Sequence, residues 1–218
     1  MALAQRPSVE AIAARLLDST PPLDDTEQRL SIALYRELAQ GVPVAPSSLA
    51  AKSGLAADEV AARIARWPAV HYDAERRITA YWGLTLKPTA HRLDAGGRDL
   101  FTWCAWDTLF VPALLGQVCR VSSTCRASGE PVTLVVSPAA VESAAPPESV
   151  VSFLLPDVGA LRANIIESFC RFVAFYASPE AAQPWLAENA EGFLLSLDEA
   201  TRVGRHRLQA RYPAIRSL

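Results

Sequence analysis

One stretch near the middle of the chain carries the strongest structural signals and reads Thr102-Trp103-Cys104-Ala105-Trp106-Asp107-Thr108-Leu109-Phe110-Val111-Pro112-Ala113-Leu114-Leu115-Gly116. Its first residues end a predicted β-strand, and residues 105–115 predict a short apolar helix that Pro112 either kinks or breaks. A thiol at Cys104 and a carboxylate at Asp107 interrupt this otherwise apolar run. A strand that leads directly into a helix indicates a core that mixes both kinds of element.

Outward from this stretch, residues 83–218 predict a compact mixed α/β core with small antiparallel sheets. The turn signal Ala95-Gly96-Gly97-Arg98 predicts a hairpin between strands at 90–93 and 100–103. Two further strands, at 132–137 and 150–154, are nearly all apolar, which predicts burial on both faces. The remaining predicted elements are strands at 120–123 and 172–176, a loop at 144–147, and helices at 181–190 and 197–212. The predicted fold class is therefore α+β.

Residues 1–82 predict a separate, winged-helix-like N-terminal domain, with four helices followed by a hairpin whose strands lie at 70–72 and 78–81. The expected helix starts are Ser8, a capping box of Asp24 and Glu27, and Ser47 or Ser48. Winged helices often bind DNA, yet this region carries nine Lys/Arg and ten Asp/Glu residues. Because DNA-binding modules present a basic face, we favour the alternative, an accessory domain that packs on the core.

The composition of the whole chain indicates an ordinary globular protein. Of its 218 residues 50% are hydrophobic and 20% are charged, and the formal net charge is −2. This balance predicts no nucleic-acid or membrane partner. Residues 1–19 contain Glu10 and Asp18 and no long apolar segment, which predicts no signal peptide. Four cysteines are too few for a disulfide scaffold in a chain of this length, so we expect a cytoplasmic protein with reduced thiols.

Cys104 and Asp107 are the first candidates for chemistry. At a helix start the two side chains would share one face of the first turn. Free N–H groups and the positive end of the helix dipole favour a thiolate there, and the thiolate is the reactive form. A carboxylate beside it can accept a proton or deliver one. The pair alone is weak evidence, because free cysteines are more often buried core residues.

The other thiols, Cys119, Cys125 and Cys170, could each be an apolar filler or a ligand. A zinc site is disfavoured because no two cysteines form a close pair and no histidine lies near them in the sequence. A hydrolase with a thiol–histidine pair would need a histidine to approach a thiol in the fold. The sequence leaves that possibility open for His71, His91 and His206.

Several segments resemble the organomercurial lyase (alkylmercury lyase) family. In chain order they are Leu38-Ala39-Gln40-Gly41, Tyr81-Trp82-Gly83-Leu84-Thr85-Leu86, the stretch 102–116, Val121-Ser122-Ser123-Thr124-Cys125-Arg126-Ala127-Ser128-Gly129, Val135-Val136-Ser137-Pro138, and Ser168-Phe169-Cys170 with Phe175-Tyr176-Ala177-Ser178. The similarity runs in order over most of the chain, between residues 25 and 205. Several motifs at consistent spacing are hard to produce by chance.

The resemblance implies a site of two cysteines and one aspartate, which correspond to Cys104, Cys170 and Asp107. It implies that the two thiols bind mercury and activate the carbon–mercury bond, while the carboxylate carries a proton to the departing carbon. Cys125 corresponds to a family cysteine that is regarded as structural. Cys119 is a departure with no counterpart among the family's cysteines, and we expect it to be a bystander or an adventitious mercury ligand.

The resemblance also implies a fold in which a winged-helix-like N-terminal region joins an α+β core that carries the site. Candidate apolar walls of the substrate pocket are Trp103, Trp106 and Phe169. Trp106 is a second departure, because a smaller aliphatic residue is expected there in the family. Its indole either narrows the pocket or faces the core.

The implied function is protonolysis of the carbon–mercury bond of organomercury compounds, a step in mercury detoxification and resistance. Soft metals prefer thiolate ligands, and protonolysis is not a redox step, so no organic cofactor is expected. Expected partners besides the substrate are small external thiols and a mercuric reductase that accepts Hg²⁺. One alternative is a thiol-based chaperone or sensor for mercury or another soft metal, which would have no use for Asp107. The other is a winged-helix regulator, which the acidic N-terminal region disfavours.

Overall fold

The computed structural model describes residues 6–215. The helices are α1 (Val9–Asp18), α2 (Asp25–Leu38), α3 (Pro46–Ser53), α4 (Ala57–Ile64), α5 (Asp107–Leu115), α6 (Val158–Ala163), α7 (Ile165–Ser168), α8 (Gln183–Glu188) and α9 (Leu197–Arg211), with a 3₁₀ turn at Cys170–Phe172. The strands are β1 (Val70–Tyr72), β2 (Ile78–Tyr81), β3 (Leu84–Thr85), β4 (His91–Asp94), β5 (Asp99–Thr102), β6 (Cys119–Thr124), β7 (Pro131–Val136), β8 (Val141–Ala145), β9 (Val150–Phe153), β10 (Phe175–Tyr176) and β11 (Phe193–Ser196). Within residues 6–215, none of the helices combines the length and hydropathy that crossing a bilayer requires.

The strands form two antiparallel sheets, so the prediction of a mixed fold with antiparallel sheets is confirmed. The larger has the order β1-β2-β3-β5-β4-β6-β7-β8, and the smaller has the order β10-β9-β11. The sheet continues across residue 82 because β2 pairs with β3. The N-terminal hairpin is therefore joined through β2 and β3 to the strand β5, whose last residue begins the stretch 102–116.

Local signals at the N-terminal helices are mostly confirmed. Ser8 caps α1, and Asp24 and Glu27 form the predicted capping box of α2. The prediction that Ser47 or Ser48 caps α3 is wrong, because the chain enters this helix through Ala45 and a proline at its first position. Proline suits the first position of a helix because it has no backbone N–H to leave unpaired there and its φ is already helical.

Three strand predictions need correction. Residues 144–147 were expected as a loop, but Ala144 and Ala145 end strand β8, which pairs along β7. Residues 132–137 were expected to be buried on both faces, yet β7 alternates between buried and exposed positions, whereas β9 is buried throughout. The strand predicted at 172–176 forms only as β10, because Phe172 ends a 3₁₀ turn and the next two residues are irregular. For residues 144 and 145, pairing with the neighbouring strand overrides the local loop signal.

Helix α5 begins at Asp107 and not at residue 105, and it contains Pro112 without ending there. It ends where Gly116 takes a left-handed conformation and donates its N–H to carbonyls of the last turn. Eight of its nine residues are buried. The C-terminal helix α9 packs against α5 and α1, so the start of α5 lies in the interior of the molecule.

Candidate active site

A network of backbone contacts holds Cys104 and Asp107 in place at the start of α5. The Trp103 N–H donates to the Gly83 carbonyl at 3.0 Å, which joins the segment after β5 to the turn between β2 and β3. The Cys104 N–H donates to Oδ2 of Asp107 at 3.0 Å. The indole N–H of Trp106 donates to the Ala200 carbonyl on α9 at 2.9 Å. These three hydrogen bonds hold the backbone on either side of Cys104 and the indole that precedes Asp107, and so fix the positions of the thiol and the carboxylate.

Cys170 comes to the same place from a segment much further along the chain. It starts the 3₁₀ turn that follows α7, and the Ala105 N–H donates to the Val173 carbonyl just beyond that turn at 3.3 Å. Ser152 on β9 fastens the segment as well, because its hydroxyl donates to the Phe172 carbonyl at 2.7 Å. The short sheet thus positions a thiol that is far from Cys104 in sequence.

The three candidate residues meet in one cluster. The two sulfur atoms and one carboxylate oxygen of Cys104, Cys170 and Asp107 all lie within 4.8 Å of one another, and all three residues are buried. Among the residues that the structure describes, no other group of three potential metal ligands lies so close together. Two thiols and a carboxylate form a donor set that suits a soft metal.

The walls around this cluster are mostly apolar. The cavity that Asp107 and Cys170 line is about 10 Å³ in volume, roughly the space that one water molecule occupies. All three expected wall residues line it, together with Leu16, Trp82, Gly83, Phe110, Ile165 and Arg207. A wider, open pocket of about 400 Å³ lies next to it and shares Trp82 and Ile165 as lining residues.

The prediction that the helix start favours a Cys104 thiolate is wrong. Cys104 lies three residues before α5, outside its first turn. Complete burial raises the pKa of the Cys104 thiol well above its ordinary value, and the hydrogen bond to Cys170 and the charge of Asp107 raise it further. The hydrogen bond from Cys104 lowers the pKa of Cys170, but burial and Asp107 outweigh it, so this pKa is also raised. Both cysteines are therefore protonated thiols, and each has to lose a proton before its sulfur can bind a metal as a thiolate.

Burial raises the pKa of the Asp107 carboxyl to about 6, although hydrogen bonds from the Cys104 thiol and backbone N–H oppose the rise. The charge of Arg207 also opposes it. A carboxyl with a pKa near neutrality can both accept and release a proton during a reaction. The site therefore combines two proton-bearing thiols with a suitable proton carrier.

The remaining cysteines and histidines lie outside the cluster. Cys119 begins β6, where burial raises its pKa to about 12, and Cys125 follows β6. His91 shares a hydrogen bond of 2.8 Å with Ser123 through Nδ1, and His71 stacks on Trp103. The thiol–histidine alternative therefore has no geometric support among the described residues.

Comparison with known proteins gives the family of this chain. A family model described as alkylmercury lyase matches residues 84–209. This chain belongs to the alkylmercury lyase family. An alkylmercury lyase of Staphylococcus epidermidis is 41% identical over 179 residues, which cover 82% of this chain and 81% of that protein. An alkylmercury lyase of Streptomyces lividans is 41% identical over 172 residues, which cover 79% of this chain and 78% of that protein.

A solved structure shares the fold of this alkylmercury lyase family member. The crystal structure of the mercury-bound form of MerB2 is 24% identical and covers 92% of this chain and 97% of its own, with a TM-score of 0.70. The match extends well beyond residues 84–209. The helices that precede the family-model region are therefore part of the shared architecture.

Two residues of this alkylmercury lyase family member contact or face the cluster without having been singled out from the sequence. Gly83 has a φ of +93°, and a Cβ there would lie 2.6 Å from Cγ of Asp107. It stood inside a recognised motif, so a glycine with a special backbone conformation was the available signal. Arg207 on α9 lines the cavity. A buried arginine on a helix with many charged residues leaves no such signal in a single sequence.

Replacing Gly83 by alanine is expected to lower kcat by about 10²-fold, because the added methyl group displaces the Asp107 carboxylate. The matched control is Gly97→Ala, which has a similar φ of +83° but nothing within 4 Å of the new Cβ. Both variants place an alanine at a positive φ, so backbone strain should lower the stability of both. Only Gly83→Ala should also have a lower kcat. Equal turnover in the two variants would contradict the contact.

Asp107 should make the folded chain less stable as the pH rises from about 4 to about 6. Its pKa is about 6 in the fold, whereas the ordinary value, which applies to the unfolded chain, is 3.8, so the native state binds more protons in this window. The free energy of unfolding then falls with rising pH, by about 3 kcal/mol in total. Urea unfolding of wild type and Asp107→Asn across this range measures the effect as a difference in slope, and parallel slopes would contradict it.

Proposed function

We propose that this chain cleaves the carbon–mercury bond of organomercury compounds by protonolysis, releasing a hydrocarbon and Hg(II). The observation that carries the proposal is the buried cluster of Cys104, Cys170 and Asp107 within 4.8 Å. Membership of the alkylmercury lyase family supports the same conclusion. In this proposal all three residues are catalytic, and all three contact the mercury of substrate or product.

The geometry supports a sequence of proton transfers that balances. A substrate R–Hg–X first exchanges X for one thiolate, and X leaves with the thiol proton. The second thiol then transfers its proton to Asp107 and binds mercury as a thiolate, which pushes electron density toward carbon. Asp107 returns that proton to carbon as the bond breaks. The products are R–H and Hg(II) held between Cys104 and Cys170.

Release of the product requires ligand exchange, because two thiolates hold Hg(II) tightly. We propose that small external thiols accept the metal and that a mercuric reductase is the protein acceptor. No organic cofactor takes part in this scheme, because every step is a proton transfer or a ligand exchange. We place the reaction in the cytoplasm, where thiols stay reduced.

We propose that residues 1–82 form a winged-helix-like domain that supports the catalytic core of residues 83–218 and does not bind nucleic acid. The hydroxyl of Tyr35 on α2 donates to the Trp82 carbonyl at 2.9 Å. The hydroxyl of Ser31 on the same helix forms hydrogen bonds with the hydroxyls of Tyr81 and Tyr212. These contacts hold the segment that ends in Gly83 against Asp107, which is a structural role for the N-terminal helices.

The test is to incubate the purified chain with phenylmercury or methylmercury and excess small thiol, and to measure benzene or methane by gas chromatography. The proposal expects catalytic release of hydrocarbon. If no hydrocarbon appears and one mercury stays bound per chain, the chain is a mercury-binding chaperone or sensor and the proposal fails.

A further inference from the structure

Arg207 is a buried cation beside the reacting groups, although the reaction scheme above gives it no role. Arg207 is only 4% exposed, and its side chain lines the same cavity as Asp107 and Cys170. Its charge lowers the pKa of both of these groups. A buried charge is costly unless something compensates it.

The immediate surroundings of Arg207 compensate that cost only in part. Its guanidinium lies 5.0 Å from the Trp82 ring and 6.0 Å from the Phe110 ring, in cation–π contact. Its Nη2 is fully buried and has no hydrogen-bond partner among the residues that the structure describes. Buried donors without a partner are uncommon in folded proteins, so this one calls for an explanation.

Arg211, one turn further along α9, is a natural contrast. It is also buried, at 6% exposed, and it also lies near the Trp82 ring, at 5.8 Å. Its guanidinium donates to the Thr20 hydroxyl at 2.8 Å and to the Pro21 carbonyl at 3.0 Å. Arg211 therefore fastens α9 to the N-terminal region and does not line the cavity.

A count of charges through the reaction gives Arg207 a role. In the reaction scheme above both cysteines enter as thiols and Asp107 enters as the carboxylate that accepts a proton, so the cluster starts with one negative charge. Once both sulfur atoms hold R–Hg⁺ and Asp107 has taken the second proton, the single negative charge lies on the dithiolate–mercury group. After R–H leaves, Hg(II) between two thiolates is neutral and the charge is again on Asp107. One positive charge in the cavity makes each of these states neutral.

We propose that Arg207 is a positioning residue that supplies this fixed counter-charge and stabilises the anionic dithiolate–mercury intermediate. The inference rests on the proposed lyase activity. A fixed cation does not need to reorganise when the negative charge moves from the carboxylate to the mercury group, and in a nearly dry cavity its effect is strong. The unpaired Nη2 donor is what allows the guanidinium to serve either location of the charge.

The experiment compares two neutral variants, Arg207→Met and Arg207→Gln, with the cationic variant Arg207→Lys. Single-substrate kinetics with phenylmercury, followed by benzene release, separate kcat from KM. We expect kcat to fall on the order of 10²-fold in the neutral variants, with KM little changed because the first mercury–sulfur bond forms without added charge. Arg207→Lys should recover most of the lost kcat.

Thermal unfolding distinguishes this role from a structural one. Removing a buried charge with an unpaired donor should leave the melting temperature of Arg207→Met unchanged or higher. The matched control Arg211→Met should show the opposite pattern, with a lower melting temperature and wild-type kcat.

Two results would overturn the counter-charge role while leaving the lyase activity intact. One is a kcat within twofold of wild type in the neutral variants. The other is an Arg207→Lys variant as slow as the neutral ones. A wild-type chain that releases no benzene would instead overturn the proposed function, and this inference with it.

Discussion

Replacing Cys170 by alanine will abolish hydrocarbon release, with a loss of roughly 10⁴-fold or more, as when one member of a catalytic group that acts as a unit is removed. With one thiol left, mercury still binds to Cys104 but lacks the second thiolate that makes the departing carbon basic. Benzene release from phenylmercury and the mercury content of the desalted protein measure the two effects separately. We expect one bound organomercury group per chain and no benzene.

The matched control is Cys119→Ala, which removes another buried thiol that lies outside the cluster. Both substitutions leave a small void in an apolar setting, so their effects on the melting temperature should be similar. Only the Cys170 variant should lose activity. Wild-type turnover in Cys170→Ala would disprove the two-thiol mechanism.

Replacing Asp107 by asparagine should lower kcat by about 10²- to 10⁴-fold, the usual contribution of a positioned acid or base. Asparagine keeps the shape of the side chain and an oxygen that can accept the Cys104 N–H, so the cluster keeps its geometry. It cannot take the proton of the second thiol or deliver one to carbon. Mercury binding through the two thiols should therefore survive while turnover does not.

Two measurements on Asp107→Asn separate these effects. Titration with Hg²⁺, followed by the ultraviolet charge-transfer absorption of mercury thiolates, reports binding, and gas chromatography reports turnover. If asparagine supports wild-type turnover, the proton carrier is another group. If it abolishes mercury binding as well, Asp107 acts on the metal and not on the proton.

Local elements and the candidate site residues are the features that the sequence predicts most directly. The capping box at Asp24, the hairpin around Gly96 and the helix at α9 follow from short-range rules, and Cys104, Asp107 and Cys170 followed from motifs that resemble one family. The sequence spacing does not predict that these three residues lie together. Cys170 is positioned by Ser152 and the small sheet, through contacts between segments that are far apart in the chain.

Electrostatic properties were the least predictable. The rule that a helix start favours a thiolate assumes a solvated first turn, but Cys104 lies just before α5 in a fully buried position. There desolvation dominates and the thiol stays protonated. The contribution of Arg207 was invisible for the same reason, since burial and packing partners exist only in three dimensions.

The near absence of free space beside Asp107 has a consequence for substrate affinity. A cavity of about 10 Å³ holds no phenyl or methyl mercurial, so we expect substrate to bind a form of the chain in which the walls of this cavity lie further apart. The apparent dissociation constant equals the intrinsic one divided by the fraction of molecules that are open. Discrimination among organic groups of different bulk is therefore set by how often the chain opens wide enough, before any bond to mercury is made.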